Sequence, residues 1–235
     1  MALAHSPRIV SDGLILAIDA GNTKSYPGSG TAWTDLSGNS NNGTLTNGPT
    51  YSSADGGSIV FDGTNDYVTV PANSDFSFGG TDDFTIELWM KTSTFSLDTY
   101  YRRVVSTGPD NSAAIQLLFL NTSSGSNSNI SVRSNAQLIN GTIAAATGDW
   151  VHVAVARIGS SMKLFVNGTQ SGSTYTASSN YSAGASNGVV VGRYATLATG
   201  HFDGYISNLR IYKGKGLTGT EVTQNYNALK GRFGI

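Results

Sequence analysis

The chain has 235 residues, no cysteine, 39% hydrophobic and only 12% charged residues, with 14 basic side chains against 15 acidic. Without cysteine there are no disulfides and no thiolate metal sites, so a hydrophobic core must hold the fold; a single domain of this length buries about 70% of its unfolded surface. The balanced charge leaves no footprint for nucleic acid or an anionic membrane, the apolar runs are strand-length, and β-branched and aromatic residues are too plentiful for disorder.

Residues 1–8 have no charged segment followed by an apolar one, so no secretion signal is expected and the chain is read as made in a cytoplasm. Residues 1–12 read as an N-terminal arm. Its Leu3, Pro7, Ile9 and Val10 give it apolar surface, and Pro7 favours an extended backbone. The arm is expected to contact another chain in a homo-oligomer or array, the alternative being an arm folded back on its own domain. Residues 13–235 read as one domain. Asn-Gly pairs at Asn42, Asn47, Asn140, Asn167 and Asn187, and Asp-Gly pairs at Asp12, Asp55, Asp62 and Asp203, mark tight turns. Between them the β-rich runs predict strands over 14–19, 58–61, 67–70, 84–91, 104–106, 115–120, 129–133, 151–157, 163–166, 189–192 and 202–212. Alternation supports two in particular. Val151, Val153 and Val155 share one face while His152, Ala154 and Ala156 share the other, and Phe84, Ile86 and Leu88 oppose Thr85, Glu87 and Trp89. The small second face of 151–157 implies a further layer packed on it. One helix is expected over 220–230, opened by the capping box Thr218-Gly-Thr-Glu221 and carrying the stripe Val222, Tyr226, Leu229. The pattern is an all-β, two-sheet antiparallel jelly-roll sandwich with one short C-terminal helix.

Several segments together resemble the laminin G-like, concanavalin A-like lectin domains. Ile59-Val-Phe-Asp-Gly-Thr-Asn-Asp-Tyr-Val68 and Phe84-Thr-Ile-Glu-Leu-Trp-Met-Lys91 look like their opening strands. Asp149-Trp-Val-His-Val-Ala154 with Met162-Lys-Leu-Phe-Val-Asn-Gly168 resembles the central hairpin, and Phe202-Asp-Gly-Tyr-Ile-Ser-Asn-Leu-Arg-Ile-Tyr212 the closing strand. The flanks Gly13-Leu-Ile-Leu-Ala-Ile-Asp-Ala-Gly-Asn22, Ser25-Tyr-Pro-Gly-Ser-Gly30, Trp33-Thr-Asp-Leu-Ser-Gly-Asn39 and Tyr226-Asn-Ala-Leu-Lys-Gly-Arg-Phe-Gly234 are similar to such domains in tailed-phage, especially marine-phage, virion proteins. The resemblance implies a non-enzymatic virion structural protein: a capsid decoration, fibre or tail-associated module, located in the virion. Its partners would be other capsid or tail proteins and copies of itself. The alternative is a carbohydrate-binding module recognising a host or environmental glycan. The fold itself hosts lectins, hydrolases and structural modules alike.

Hydrolases of this fold place carboxylates in the order Glu-x-Asp-x-x-Glu on one strand, because acid and nucleophile must stand roughly 5–5.5 Å apart. This chain has two glutamates, Glu87 and Glu221, and the helix cap accounts for the second. Asp83 and Glu87 on one strand face would be about 13 Å apart, too far for either glycosidase geometry. The histidines are His5, His152 and His201; no Gly-x-Ser-x-Gly elbow occurs, and His152 reads as a hydrogen-bonded core residue. No cofactor is required. Calcium is the metal ion the donors would suit, with Asp62, Asp66, Asp203 and Asn208 as candidate ligands, although Asp62 and Asn65 read equally as turn formers. For sugar or a protein interface the candidates are Tyr100, Tyr101, Arg102, Tyr175, Tyr181 and Tyr194. Trp33, Trp89 and Trp150 lie in apolar patterns and are expected to pack in the core or on a sheet.

Overall fold

In a computed structural model, residues 8–93, 102–108, 113–121, 128–134, 136–143, 148–195 and 198–235 are described. In chain order the strands begin with β1 (Leu14–Asp19), β2 (Ala32–Trp33), β3 (Gly43–Thr46), β4 (Thr50–Ser52), β5 (Ser58–Asp62), β6 (Tyr67–Val70), β7 (Phe84–Thr92) and β8 (Arg102–Ser106). They continue with β9 (Gln116–Asn121), β10 (Ser128–Arg133), β11 (Gln137–Ile143), β12 (Trp150–Ile158), β13 (Ser161–Val166), β14 (Thr169–Gln170) and β15 (Tyr175–Thr176). After the single-turn helix α1 (Gly184–Asn187) come β16 (Val189–Val191), β17 (Asp203–Lys213), helix α2 (Gly219–Leu229) and a 3₁₀ turn over Lys230–Phe233.

Pairing is antiparallel throughout the described ladders. One sheet runs β14-β13-β12-β7-β17-β5-β4, with β1 also on β17 and β15 on β13; the other runs β11-β10-β9-β8-β16-β6-β3-β2. This is the two-sheet jelly roll with one C-terminal helix that the pattern predicted. Phe84, Ile86, Leu88 and Met90 of β7 and Val151, Val153 and Val155 of β12 point between the sheets and meet Val68, Val104, Leu117, Ile130 and Val191 of the other. All are buried, so the inner faces supply the main core.

Each segment expected to be a strand is one, with ends agreeing within two residues. β2, β3, β4, β11, β14 and β15 were not anticipated. In β11 the pair Asn140-Gly141 looked like a turn, yet it lies inside the strand, and a Cβ on Gly141 would stand 2.6 Å from the Leu164 side chain. Gly141 serves a close approach between sheets. By contrast Asn167 and Gly168, at φ 50 and 79, form the two-residue turn joining β13 to β14.

The outer face of the sheet holding β7 is covered by α2 and the turn after it. Thr218 caps the helix as expected: Glu221 N–H donates to Thr218 Oγ1 at 3.3 Å, and Thr218 N–H donates to Glu221 Oε2 at 2.9 Å. Ala154, Ala156, Phe165, Tyr212, Leu217 and Val222 form a second apolar cluster beneath the helix, which is the layer implied by the small face of β12. Arg232 ties the far end down by donating to Asp19 Oδ1 (2.7 Å), Gly57 O (2.9 Å) and Ser207 Oγ (2.7 Å). No helix among the described residues is long and apolar enough to cross a membrane.

The described end of the arm takes the alternative course and lies on its own domain. Val10 N–H donates to Asn225 Oδ1 (2.8 Å), Val10 O accepts from the Tyr212 hydroxyl (3.0 Å), and Arg8 O accepts from Gln224 Nε2 (2.7 Å). Residues 8–10 thus lie on their own α2, because the side chains of Asn225 and Tyr212 offer the arm's backbone the partners a strand would otherwise supply. Residues 1–7 lie outside the described residues.

Candidate functional site

The register of β7 decides what its outward side chains can do. Glu87 stands between Ala154 of β12 and Arg210 of β17, and Trp89 between His152 and Asn208. A bulge at Ser207 shifts the parity of β17, which sends Asn208, Arg210 and Tyr212 to the outer face. Glu87 is completely buried there. Its Oε1 accepts from Asn225 Nδ2 at 2.9 Å, from the Tyr212 hydroxyl at 3.2 Å and from Arg210 Nη1 at 3.4 Å, while His152 Nε2 stands 3.4 Å from Oε2. Burial alone would raise the Glu87 pKa; His152, Arg210 and Asn225 more than reverse that and bring it to about 2. Burial, reinforced by the adjacent Glu87 charge, pushes the Tyr212 phenol far up. Trp89 seals the network from the other side, its ring stacked on Phe233 (4.3 Å) and Tyr226 (5.6 Å). A carboxylate with its pKa held low and closed under a helix is poorly placed to deliver a proton to a substrate. Asp83 precedes β7 and is held by Gly159 N–H, from which it accepts at 2.7 Å.

The calcium candidates separate. Asp62 and Asp203 face each other where β5 meets β17, with Asp66 four residues along the same turn. Asp62 Oδ1 accepts from Thr64 N–H (2.8 Å) and Asn65 N–H (3.3 Å), and Asp66 Oδ2 accepts from Asp62 N–H (3.1 Å). These bonds hold Asp62 below the usual carboxylate range, whereas burial raises Asp66. Asn208 does not join them. It is five residues up β17, about 17 Å at ~3.3 Å per residue, and buried on the helix side of the sheet. Among the described residues no group of three or more His, Asp or Glu side chains is placed to share a metal ion.

The tyrosine candidates are likewise not one platform. Tyr181 is a core residue, edge-on to Phe84 at 6.1 Å, with its backbone paired to that of Phe78. Tyr194 is buried under the Arg103 guanidinium, 4.1 Å from its ring. Tyr175 is half-buried against Met162, and Arg102 donates to His201 O at 3.3 Å. Tyr100 and Tyr101 lie outside the described residues. The tryptophans are packing residues as expected: Trp33 and Trp89 are sealed and Trp150 is 5% exposed.

A different place is open. Where β7 ends and β12 begins, a groove of about 610 Å³ is lined by Asp55, Lys91, Gly148, Asp149, Trp150, Asn167, Phe233, Gly234 and Ile235. Asp55 Oδ2 accepts from both Lys91 Nζ and Trp150 Nε1, each at 2.9 Å, and these bonds hold its carboxyl below the ordinary range. The Lys91 ammonium rests over the rings of Tyr205 (4.5 Å) and Trp150 (5.0 Å). Asn167 is fixed by accepting from His152 N–H at 2.9 Å. Phe233 packs on Trp150 with ring centroids 4.6 Å apart. The groove therefore has a stiff aromatic floor and an edge of oriented carboxylate, ammonium and amide groups. Sequence reasoning missed it because Asp55, Lys91, Trp150, Asn167 and Phe233 come from five separate segments. The one visible signal was the outward parity of Lys91, two residues beyond Trp89 on the same strand face.

Comparisons with known proteins agree with this architecture. A family described as the Concanavalin A-like lectin/glucanases superfamily matches residues 62–223. No curated protein matches the sequence. Among solved structures, domain 4 of a GH43 extracellular arabinanase from Geobacillus stearothermophilus, in complex with arabinotriose, is similar with a TM-score of 0.62 at 20% identity, covering 91% of this chain and 98% of that one. A botulinum neurotoxin type C structure, whose cell entry is described as dependent on two ganglioside molecules, is similar at TM-score 0.67 and 13% identity over 94% of this chain and 52% of its own. A Trypanosoma rangeli sialidase in complex with the inhibitor DANA follows at 0.55 and 10%, covering 95% of this chain and 35% of that one. The chain thus spans about half of the neurotoxin chain and a third of the sialidase. At these identities the likeness is one of fold, and that fold is shared by enzymes and by binding domains.

Proposed function

The chain belongs to the concanavalin A-like lectin/glucanases superfamily, and from that premise we propose that it is a non-catalytic glycan-binding domain whose site is the groove between Asp55, Lys91, Asn167 and Phe233, carried as a structural component of a tailed-phage virion. The observation that carries the binding reading is the groove itself. Its volume of about 610 Å³ falls within the roughly 300–1,000 Å³ of ligand sites, and its lining is more polar than that of sites for apolar ligands. Sugars need paired acceptors and donors held in place, and Asp55 and Lys91 provide them: Asp55 Oδ1 and two Lys91 N–H groups are left over after their mutual bond. The arabinotriose complex of the similarly folded arabinanase domain supports the class of ligand. The non-catalytic part of the reading is supported by Glu87, which is buried beneath α2 with its pKa held low.

The virion role rests on the resemblance of residues 13–39 and 226–234 to tailed-phage proteins. Those segments supply β1, β2 and the turn that closes the groove. Two experiments test the reading. Calorimetric titration with oligosaccharides chosen from a glycan array should show binding that Asp55→Asn and Lys91→Gln weaken at least about tenfold, the cost of roughly one charge-assisted bond, with circular dichroism unchanged. Full affinity in both variants would remove the groove from the reading. Mass spectrometry of purified particles should find the protein in stoichiometric amounts, and its absence there would remove the virion role.

A further inference from the structure

The helix α2 covers the outer face of its sheet only in part. Tyr226 and Val222 lie over the end of β12 that carries His152 and Ala154. Toward its other end the outward side chains of the β12–β13 hairpin, Ala156 beside Lys163 and Ile158 beside Ser161, meet only the chain that leads into the helix. Between the hairpin and Leu217, Thr218 and Gly219 is a second groove, of about 310 Å³. Small residues keep it open. Ala156 fills little space on the sheet, and Gly219 has no side chain where a Cβ would stand 3.5 Å from the Phe165 ring. Its walls are already in place: Phe165 and Leu217 are buried, and the cap bonds between Thr218 and Glu221 fix the start of the helix.

We infer that this second groove binds a small amphiphile with an apolar body and one carboxylate, and that it is a site separate from the one at Asp55. The apolar body is called for by the lining: Ile158, 44% exposed, with Phe165, Leu217 and the Lys163 stem. The carboxylate is called for by Lys163. It is the charged residue of the lining, and its ammonium has no hydrogen-bond or ion-pair partner. The acids of the adjoining segments are committed elsewhere. Glu221 pairs with Lys215 at 2.5 Å and accepts from Thr218 N–H at 2.9 Å, and Asp83 accepts from Gly159 N–H at 2.7 Å beside the Arg157 guanidinium. The Lys163 charge is therefore left for a ligand anion, whose bond to it is charge-assisted. The size of the groove, at the lower end of the roughly 300–1,000 Å³ of ligand sites, fits a small molecule. A protein partner would need a broad apolar patch. Among the described residues the exposed large apolar side chains are Leu36, Ile158 and Ile235, and of these only Ile158 lines this groove.

The test is titration of the isotope-labelled protein with phenylbutyrate and with its uncharged isostere phenylbutyramide, followed by amide NMR. Both probes should shift the signals of Ile158, Ser161, Lys163 and Gly219. The carboxylate should bind about fivefold tighter, the upper end for a solvent-exposed charge pair. Lys163→Met keeps the stem and should erase that advantage while the amide still binds. Ser161→Phe fills the groove from its rim and should abolish both, with circular dichroism unchanged. Ile158→Ser, at an exposed position, should weaken both without adding bulk. Asp55→Asn should alter neither. The inference is overturned if neither probe shifts these signals at millimolar concentration, if the shifts map elsewhere, or if the amide binds as well as the carboxylate. It is equally overturned by an advantage that survives Lys163→Met, or by a loss on Asp55→Asn that joins the two grooves into one site. No step uses a sugar, so the glycan-binding reading stands or falls by its own titration.

Discussion

Glu87 shows how one residue's surroundings decide between catalysis and structure. A glutamate in mid-strand of this fold is the residue type a glycosidase would use, yet here α2 closes over it and Asn225, Tyr212 and Arg210 supply its partners. Removing the charge leaves the buried Arg210 guanidinium without its counter-ion, and breaking such a pair costs about 3–5 kcal/mol. Glu87→Gln is therefore expected to lower the urea-derived unfolding free energy by that amount near neutral pH. The pH dependence has a definite sign. Folding lowers the Glu87 pKa from 4.5 to about 2, so its stabilisation is complete above the unfolded value and is lost as pH falls through the folded one, a change on the order of 3 kcal/mol. The gap between wild type and Glu87→Gln should hold at neutral pH and shrink between about pH 4.5 and pH 2. A gap that stays constant over that range would sink the account. Asp62 offers a second residue-scale test. Its Oδ1 accepts two backbone N–H groups of its own turn, and among the described residues no three acidic or histidine side chains gather to share an ion. Millimolar calcium is expected to leave the melting temperature unchanged, and a clear rise would show that the turn opens to the ion.

At the scale of elements, long-range tethers matter more than the strands' own propensities. Arg157, fully buried at the end of β12, donates to Asp82 O at 2.7 Å, to Ser179 O at 3.0 Å and to Gly79 O, while its guanidinium lies over Phe84 and Tyr181. It joins the loop before β7 to the loop before α1. Arg157→Met keeps the stem and removes every donor, leaving three buried carbonyls short of a partner at about 1–3 kcal/mol each, so thermal melting should drop by roughly 10 °C or more. A drop of only a degree or two would show that water replaces the guanidinium. The same contrast explains what the sequence made legible. Strands such as β7 and β12 announce themselves by alternation because one face meets the core, and α2 by its capping box. β2, β4, β14 and β15 have two or three residues each, too few for a period to show. Asp35 was invisible as well. Its carboxylate accepts from Ala17 N–H, Ser37 N–H and Asn41 N–H, pinning the loop after β2 to β1, and nothing in Trp33-Thr-Asp35 says which distant backbone it will reach. The groove was hidden for the same reason, while Tyr181 and Tyr194, two of the candidates for sugar or interface contact, are buried by the aromatic packing that makes tyrosine useful in either setting.

For the whole molecule, the outer face of one sheet is organised by two terminal segments that meet over Glu87. From one side α2 brings Asn225, and from the other the arm brings the backbone of Val10, which donates to Asn225 and accepts from Tyr212. The arm thus completes a hydrogen-bond chain that runs from its own backbone through Asn225 and Tyr212 to the buried carboxylate. Deleting residues 2–10 removes those two bonds, the Gln224 contact to Arg8 O and the packing of Val10 on the second apolar cluster. Three lost bonds at up to ~1 kcal/mol each, one of them exposed, and one partly buried valine sum to about 2–4 kcal/mol. For a domain of this size that lowers the melting temperature by about 5–15 °C. Differential scanning calorimetry of the truncated protein should show that drop, with Asn225→Ala in the full chain giving a comparable one because it cuts the same chain of bonds at its middle. Light scattering should meanwhile return the same oligomeric state for the truncated and full-length proteins, since the described arm spends its donors and acceptors within its own domain. Loss of assembly on truncation with the melting temperature unchanged would place the arm's work between chains instead.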